Sequence, residues 1–376
     1  MSSALTDLFP HPIVQAPMAG GGSGPQLAAA VSEAGGLGFL AAGYKTADGM
    51  YQEIKQLRGL TGRPFGVNVF MPQPEPPGAN TGSTGASGGA PPSAAVDLYA
   101  HQLAGEAAWY ETELGDPDSG RDDGYDAKLA VLLDNPVPVV SFHFGVPTRD
   151  VVDSLHRAGS YLLATATTAE EALAVQQAGA DAVIAQGVEA GGHQGTHRDL
   201  PENDGSGLGV LSLVAQVREV VGIPVVAAGG IMRGSQIAAV LAAGARAAQL
   251  GTAFLATPES GAHPLHKQAL TDPLFPRTEL TRAFSGRPAR ALVNRFLREH
   301  GRYAPAAYPE VHHLTSPLRQ ASAKAGDAQG MALWAGQGHR MARALPAGRL
   351  VEVLAAELAA AKTALSAFSP FGGDVR

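Results

Sequence analysis

Short apolar runs alternate along the chain with segments of helical period. The run at 182–185 is apolar at every position, which is typical of a parallel strand covered on both faces. Between such runs, apolar residues recur every three or four positions, as on the buried face of an amphipathic helix. This alternation predicts eight strands, at 13–16, 37–41, 64–70, 137–142, 161–165, 181–185, 223–227 and 247–250.

Eight βα repeats in roughly 250 residues predict an α/β fold of the (β/α)8 TIM-barrel type. A doubly wound open sheet is the alternative that the repeat count leaves open. In a TIM barrel the active site lies on the loops that follow the carboxyl ends of the strands. We therefore expect residues 1–71 and 125–258 to form the barrel domain and these loops to carry its chemistry.

Two further segments do not follow this alternation of strands and helices. Residues 72–124 are an insertion that opens with PQPEPPGANTGSTGASGGAPP, a tract too poor in apolar residues to order itself. Helical spacing over 93–114 then predicts a helical flap near the barrel mouth, with an excursion of no functional role as the alternative. Residues 259–376, which include a helix predicted at 348–365, are expected to form an appendage that completes the active site.

The composition narrows the class of protein. Of the 376 residues, 45% are hydrophobic, 16% are charged and none is cysteine, and the formal net charge is −7. Thiol catalysis, thiolate metal sites and disulfides are excluded, and no dense run of lysine and arginine indicates a nucleic-acid partner. No signal peptide or apolar stretch of about 18 residues is present. We expect a soluble cytoplasmic protein that binds a small molecule and no membrane; its oligomeric state is left open.

The loop after the sixth predicted strand holds one histidine among several glycines. The sequence GVEAGGHQG at 187–195 places His193 in this loop. Glycines allow sharp turns and a close approach of the backbone to a ligand, and we expect them to give the loop a flexible frame. An imidazole exchanges a proton near neutral pH, which suits general acid–base work. The alternative is a histidine bonded only to solvent or to the backbone.

Two glycine turns predict a phosphate site. Gly229 and Gly230 follow the seventh predicted strand, and Gln249–Thr252 ends the eighth. In such barrels a phosphate commonly binds between these two loops, on backbone N–H groups. The amides of Asn68 and Gln186, at the ends of apolar strands, are suited to the carbonyl groups and ring nitrogens of a flat heterocycle. Alternatively, both amides only make hydrogen bonds to backbone N–H and C=O groups.

Six motifs together resemble the nitronate monooxygenases, formerly called 2-nitropropane dioxygenases. They are QAPMAGGGSGPQLAAAVSEAGGLGFLAAG at 15–43, GVNVF at 66–70, SFHFG at 141–145, GVEAGGHQG at 187–195, AAGGI at 227–231 and QLGTAF at 249–254. FSGRPARALVNRF at 284–296 and LWAGQG at 333–338 further resemble the class that acts without NAD(P)H. The resemblance covers nearly the whole chain. The Gly/Ser-rich tract at 78–91 departs from it by its length and leaves the shape of the flap open.

The resemblance implies a barrel that binds FMN noncovalently and oxidises an alkyl nitronate, such as propionate 3-nitronate, with O₂ to an aldehyde or ketone plus nitrite. His193 matches the catalytic histidine of the family. Ala16, Pro17 and Met18 match residues that line the flavin ring. The remaining cofactor contacts implied by matching motifs are Asn68, Gln186, Gly191, Gly229, Gly230, Gln249, Leu250, Gly251 and Thr252.

Four side chains are further candidates for contact with the substrate. His143 follows a strand end, Tyr99 lies in the predicted flap, and Tyr303 and Tyr308 follow ARALVNRF. Packing is the alternative role of the tyrosines. The pair His312–His313 has no ligand partner at helical spacing, so we expect it at the surface, and no metal site is expected.

Other functions remain compatible with the same loops. The main alternative is an NAD(P)H-dependent FMN reductase, such as a quinone or enoyl reductase, on the same scaffold. A non-redox barrel enzyme could use a phosphorylated substrate in the same phosphate site. A flavin-binding protein without catalysis is a third alternative, against which the presence of His193 argues.

Overall fold

The computed structural model describes residues 5–73, 92–199 and 207–367. Its strands, numbered in chain order, are β1 Ile13–Gln15, β2 Gly38–Ala41, β3 Phe65–Phe70, β4 Val139–His143, β5 Tyr161–Ala166, β6 Ala182–Gln186, β7 Gly192–His193, β8 Val225–Ala228, β9 Ala247–Leu250, β10 Thr278–Thr281 and β11 Ala289–Leu292.

Eight of these strands form one parallel sheet in the order β1-β9-β8-β6-β5-β4-β3-β2. A parallel bridge between Val14 and Leu37 joins the two ends of the sheet. There the N–H of Gln15 donates to the Leu37 carbonyl at 2.9 Å, and the Leu37 N–H donates to the Ile13 carbonyl at 3.0 Å. The sheet is therefore a closed barrel, which confirms the predicted TIM-barrel fold and eliminates the open sheet.

The helices pack around this barrel and extend from it. They are α1 Pro25–Glu33, α2 Ala47–Leu60, α3 Pro92–Trp109, α4 Tyr125–Asp134, α5 Arg149–Arg157, α6 Ala169–Ala178, α7 Val210–Val220, α8 Gly234–Ala242, α9 Thr252–Leu255, α10 Pro264–Ala269, α11 Arg295–His300, α12 Glu310–Lys324 and α13 Ala347–Ala367. None of them, among the residues described, is long and apolar enough to cross a bilayer.

The barrel interior changes from apolar to polar along the strands. Val14, Phe39, Val139 and Ile184 belong to one buried apolar cluster. Phe39 fits because its neighbour on β3 is Gly66, where an added Cβ would lie 2.2 Å from the Phe39 ring. Towards the carboxyl ends of the strands the buried side chains are polar, namely Gln15, Asn68, Ser141, Thr165 and Gln186. This polar end is where a TIM barrel carries its active site.

A small second sheet joins the C-terminal part of the chain to the barrel mouth. Its order is β10-β11-β7, with Ala289 opposite His193 and Arg290 opposite Gly192. The sequence pattern did not predict this sheet, because β7 has two residues and its partner lies about a hundred positions away. The pairing brings residues after 280 beside the glycine loop.

The helix in the insertion packs against the C-terminal segment. Tyr99 and Leu103 of α3 share a buried apolar cluster with Phe284, Phe296 and Leu314. The long last helix, α13, returns to the barrel core, where its leucines 350, 354 and 358 are buried. The tract 74–91, which includes the whole Gly/Ser-rich segment 78–91, lies outside the described residues.

Candidate active site

The loop after β6 is held in place by the side chain of Gln186. The Gln186 Nε2 donates to the His193 carbonyl at 3.1 Å, and its Oε1 accepts from the Gly195 N–H at 2.7 Å. His193 is also paired with Ala289 across the small sheet. The expected flexible frame is therefore wrong, because side-chain and backbone hydrogen bonds fix the backbone on both sides of His193.

The glycines of this loop allow other segments to approach it closely. A Cβ at Gly191 would lie 2.5 Å from the backbone nitrogen of Gly336, and one at Gly195 would lie 2.6 Å from the His143 ring. The N–H of Gly336 in turn donates to Thr252 Oγ1 at 2.9 Å. The LWAGQG segment therefore packs on the glycine loop and ties it to the end of β9.

The His193 ring is partly buried in an aromatic environment. The ring centroids of Phe144, Tyr308 and Trp334 lie 5.7, 5.6 and 5.5 Å from its own. Its Nε2 lies 2.9 Å from the Ser285 hydroxyl. Burial, reinforced by the positive charge of Arg287, holds the pKa of His193 well below its usual range. The imidazole is therefore uncharged at neutral pH.

Arg287 places a fully buried positive charge beside this ring. Its guanidinium carbon lies 4.0 Å from the centre of the Phe144 ring, a cation–π contact. The guanidinium donates to Gln73 Oε1 and to the Thr196 carbonyl, while its Nε has no hydrogen-bond partner among the described residues. Burial lowers the pKa of Arg287, yet a guanidinium stays charged in proteins. The site therefore carries a cation suited to an anion.

A second polar group lies beyond Tyr308. The hydroxyls of Tyr44 and Tyr308 are 3.1 Å apart, and the His312 ring stacks on Tyr44 with centroids 4.0 Å apart. Arg319 Nη2 donates to the His312 carbonyl at 2.9 Å. Burial raises the pKa of Tyr44 to about 12 and that of Tyr308 well above its usual value. Both hydroxyls are therefore protonated hydrogen-bond donors at neutral pH.

Two aromatic residues at the barrel mouth have left-handed backbone conformations. The φ angle is +64° at Tyr44 and +72° at Phe144, a region that bulky side chains adopt rarely and at a cost. At Tyr44 the N–H donates to Asp123 Oδ1 at 2.9 Å, and Asp123 is also paired with the fully buried Lys128. Such strain concentrates at functional sites, and here it directs both rings towards the Tyr308 side chain.

The sequence model of the nitronate monooxygenase family matches residues 2–357 of this chain. The chain belongs to the nitronate monooxygenase family. It is 42% identical to the nitronate monooxygenase of Pseudomonas aeruginosa, with 94% of this chain and 99% of that protein covered. It is also 42% identical to the one of Paraburkholderia phytofirmans, with 92% of each covered.

Solved structures agree with this assignment. A nitroalkane oxidase from Streptomyces ansochromogenes is similar at 81% identity and a TM-score of 0.91, with 96% of this chain and 100% of that chain covered. FabK from Thermotoga maritima is similar at 29% identity and a TM-score of 0.68, with 97% and 98% covered. The predicted nitronate monooxygenase family, enzyme class and barrel are thus confirmed, and the family is one of flavoproteins.

The residues predicted to hold the flavin in this member of the nitronate monooxygenase family lie at neighbouring strand ends. Ala16, Pro17 and Met18 follow β1, and the Ala16 N–H donates to the Leu250 carbonyl at the end of β9 at 2.9 Å. Asn68 Nδ2 donates to the Ser141 hydroxyl at 2.9 Å. Gln186 bonds the backbone of the loop of His193, which is the alternative role considered for this amide in the sequence.

Several of these groups have unused hydrogen-bonding capacity. Gln249 Oε1 is buried without a partner in the described chain. Within the same residues, the N–H groups of Gly229, Gly230, Gly251 and Thr252 have no hydrogen-bond acceptor. Since β8 and β9 are adjacent, these N–H groups lie at neighbouring strand ends. Gln249 Oε1 can accept a hydrogen bond from a ring N–H of the flavin, and the backbone N–H groups can donate to a phosphate. The residues present therefore suit FMN.

His143 supports the backbone of the loop that carries His193. Its Nδ1 lies 3.1 Å from Thr165 Oγ1, and its ring also makes a hydrogen bond to the backbone of His193. Burial, with a contribution from Arg287, lowers the pKa of His143 to about 3. The predicted substrate contact of His143 stays a prediction, and the structure shows a side chain that positions the backbone of His193.

The three predicted tyrosines have different environments. Tyr308 lies beside His193, as described above. Tyr99 is fully buried, and its hydroxyl donates to the Ala283 carbonyl at 2.7 Å, so it packs in the cluster around α3. Tyr303 is 45% exposed, with its ring beneath the Arg302 guanidinium at 4.6 Å. Of the three, the structure brings only Tyr308 to the ring of His193.

Several residues of the site were not predicted from the sequence. His312 was expected at the surface, and this expectation is wrong because its ring is stacked on Tyr44. Burial lowers the pKa of His312 to about 2. The sequence indicated the FSGRPAR motif only as a resemblance, although Arg287, the first of its two arginines, is a charged residue among small and apolar ones. The other unpredicted residues of the site are Tyr44, Phe144, Ser285, Arg287, Arg319 and Trp334.

One group of acidic and histidine side chains has the spacing of a metal site. Glu106, Glu299 and His300 bring their ligand atoms within 4.8 Å of one another. Arg295 already forms ion pairs with both glutamates. The Arg295 guanidinium therefore already supplies the positive charge that a metal ion would bring to these carboxylates. The expectation that the chain has no metal site stays a prediction.

Proposed function

We propose that this protein binds FMN at the barrel mouth and oxidises alkyl nitronates, propionate 3-nitronate or similar compounds, with O₂ to a carbonyl compound and nitrite. The observation that carries the proposal is the uncharged His193 beside the buried cation of Arg287 in one aromatic-lined site. A nitronate is an anion, and a buried guanidinium stabilises such a charge more strongly than a solvated one. Membership of the nitronate monooxygenase family supports the same substrate class.

The protein residues bind and orient the substrate. Arg287 provides the positive charge. The hydroxyls of Tyr44 and Tyr308 are both protonated at neutral pH, and because one of them donates to the other, the pair has one proton left to donate to the substrate. Phe144 and Trp334 exclude water from the side of His193. Asn68, Gln249 and the glycine turns would hold FMN, which supplies the electron transfer between the nitronate and O₂ when bound.

Neutral nitroalkanes are a second proposed substrate class. The solved structure at 81% identity is that of a nitroalkane oxidase. A neutral nitroalkane must lose its α-proton before it becomes a nitronate, and this step needs a base. His193 is uncharged, so its ring can accept a proton.

The proposal is tested by mixing the FMN-loaded protein anaerobically with propionate 3-nitronate and, separately, with NADPH, while the flavin absorbance is followed. Bleaching by the nitronate without a response to NADPH is the expected result, with nitrite and a carbonyl product formed once O₂ is admitted. The likeness to FabK keeps an NAD(P)H-dependent FMN reductase as the alternative function. Bleaching by NADPH alone would favour that alternative and refute the nitronate proposal.

A further inference from the structure

We propose that Ser285 is a positioning residue that fixes the proton of His193 on Nε2 and so leaves Nδ1 as the proton acceptor for neutral nitroalkanes. This inference rests on the proposed flavin-dependent oxidation and extends it to the step before electron transfer. Its basis is the hydrogen-bonding geometry around a single hydroxyl group.

The Ser285 hydroxyl has two possible acceptors for its one proton. His193 Nε2 lies 2.9 Å from Ser285 Oγ, and the Arg287 carbonyl oxygen lies 3.3 Å from it. Arg287 is fully buried, and no other donor reaches its carbonyl within the described residues. The Ser285 proton can satisfy either the carbonyl or the imidazole, but not both.

Counting protons decides between the two arrangements. If Ser285 donates to Nε2, the buried Arg287 carbonyl is left without a donor, which is costly. If Ser285 donates to the carbonyl, His193 carries its proton on Nε2 and donates it to Ser285 Oγ, and all three groups are satisfied. The second arrangement is therefore favoured, and the lone pair of the imidazole lies on Nδ1.

Both partners are fixed by the backbone around them. Ser285 is buried, and the N–H groups of Ser285 and Gly286 both donate to the Arg282 carbonyl, at 3.2 and 2.7 Å. Gly286 has a φ of +81°, and an added Cβ there would lie 2.2 Å from the Ala307 carbonyl oxygen. On the other side, Gln186 and the strand pairing hold His193. The Ser285 hydroxyl and the His193 ring are therefore both held in position for this hydrogen bond by the backbone around them.

The free nitrogen is available to the substrate. Among the residues described, the His193 ring makes its hydrogen bond through Nε2, and Nδ1 has no partner. In the step inferred here, the C–H bond next to the nitro group breaks and its proton goes to Nδ1. The bonding electron pair forms the C=N bond of the nitronate, so the products are a nitronate anion and an imidazolium, with no change of oxidation state.

The surrounding charges act on the two products in opposite directions. The Arg287 guanidinium opposes the imidazolium and stabilises the nitronate formed beside it. The Nε2–H bond to Ser285 strengthens when the ring becomes charged, because charge-assisted hydrogen bonds are stronger than neutral ones. Loss of Ser285 therefore affects proton removal and leaves oxidation of a preformed nitronate nearly unchanged.

Kinetics with a matched pair of substrates test this inference. Ser285→Ala is compared with the wild type on neutral nitroethane and on ethylnitronate at one pH, with the FMN-loaded enzymes. We expect kcat/KM to fall by roughly 10- to 100-fold for nitroethane and by less than about threefold for the nitronate. The deuterium isotope effect on nitroethane oxidation rises. Ser285→Thr, which keeps the hydroxyl, restores most of the nitroethane activity.

Controls separate this role from a structural one. Ser322→Ala removes another buried hydroxyl, which donates to the Asp327 carbonyl, and leaves the ratio of the two activities unchanged. Equal losses of Ser285→Ala on both substrates, or no loss on nitroethane, would overturn the inference. So would a wild type that oxidises ethylnitronate but not nitroethane, a result that refutes the second substrate class and leaves the proposed nitronate oxidation intact. A wild type that oxidises neither refutes the proposed function itself.

A direct readout of the tautomer does not depend on activity. Proton–nitrogen NMR correlations of the imidazole side chain distinguish a ring protonated on Nε2 from one protonated on Nδ1. The His193 signals are assigned by comparison with His193→Asn. We expect the Nε2–H pattern in the wild type and in Ser285→Thr, and a mixture in Ser285→Ala. An Nδ1–H pattern in the wild type contradicts the inference.

Discussion

Arg319 is a partly buried cation of the site, and no acidic side chain among the described residues pairs with it. Its side chain bonds the His312 carbonyl, and its Nε is buried without a partner among those residues. Burial lowers the pKa of Arg319 to about 10, still well above neutral pH. A partly buried charge without a counterion carries a desolvation cost, and an anionic substrate beside Tyr44 and Tyr308 would offset that cost.

Removal of this charge is expected to weaken binding of anions selectively. For Arg319→Gln, we expect KM for ethylnitronate to rise about tenfold, or roughly 1.4 kcal/mol, with a smaller change for nitroethane. Steady-state kinetics at low and high salt measure both. Arg302→Gln, which removes an exposed arginine, is the control and leaves both KM values within about twofold. Equal changes for the two substrates in Arg319→Gln would show that its charge does not recognise the anion.

Backbone conformation explains why some residues of the site were not predicted. Tyr44 and Phe144 reach it through positive φ angles, which no periodicity in the sequence indicates for bulky residues. His193 and the glycines proposed to bind the flavin could be singled out in the sequence because glycine-rich turns at strand ends form a local pattern. Ser285 and Arg287 lie about ninety positions from His193, and only the fold brings them together.

At the scale of elements, α3 is held on the C-terminal segment by a buried ion-pair network. Glu106 pairs with Arg295 and lies 3.2 Å from His300 Nε2. Burial alone would raise the pKa of the Glu106 carboxyl, but hydrogen bonds from Arg295 and His300 outweigh it and lower the pKa. Glu106 is therefore ionised at neutral pH, and its charge links α3 to α11.

Glu106→Gln is expected to destabilise this connection. The substitution leaves a partly buried Arg295 without its main partner, and we expect the free energy of unfolding to fall by about 2 kcal/mol, between the values for exposed and fully buried pairs. Urea unfolding at pH 7 measures it. Glu299→Gln is the matched control on the same arginine, because Glu299 is 53% exposed in its side chain, and we expect less than about 0.5 kcal/mol. Similar losses in both variants would contradict the role given to Glu106.

The elements themselves were largely predictable, and their long-range pairing was not. All eight barrel strands were predicted to within two residues at each end, because parallel strands buried on both faces are continuous apolar runs. The small sheet around β7 has no comparable local pattern.

At the scale of the whole molecule, the barrel and the C-terminal segment share one site. Gln186 and Phe144 come from the barrel, whereas Ser285, Tyr308 and Trp334 come from residues after 280. The predicted division into barrel, insertion and appendage remains a prediction. The contacts between these parts mean that any loosening of the C-terminal segment changes the environment of His193. Acid provides such a perturbation, because several buried histidines lie along these contacts.

His266 is the best position for a test of acid sensitivity outside the site. It is buried, its Nε2 lies 2.9 Å from the Trp334 carbonyl oxygen, and burial lowers its pKa to about 4. In the unfolded chain its pKa is about 6.5. Between these values the unfolded state binds more protons than the folded state, so the stability is fully present above about pH 6.5 and is lost as the pH falls towards 4.

His266→Gln removes this titration and keeps a side-chain N–H for the Trp334 carbonyl. Over the window from pH 6.5 to 4, the substitution is expected to reduce the acid-induced loss of stability by about 3 kcal/mol, as measured by urea unfolding at several pH values. His101→Gln, which removes an exposed histidine of α3, serves as control and keeps the wild-type pH dependence. Because His143 and His312 have pKa values lowered to about 3 and about 2, the His266→Gln protein still loses stability in acid. A pH dependence identical to that of the wild type would show that His266 is not held uncharged in the folded protein.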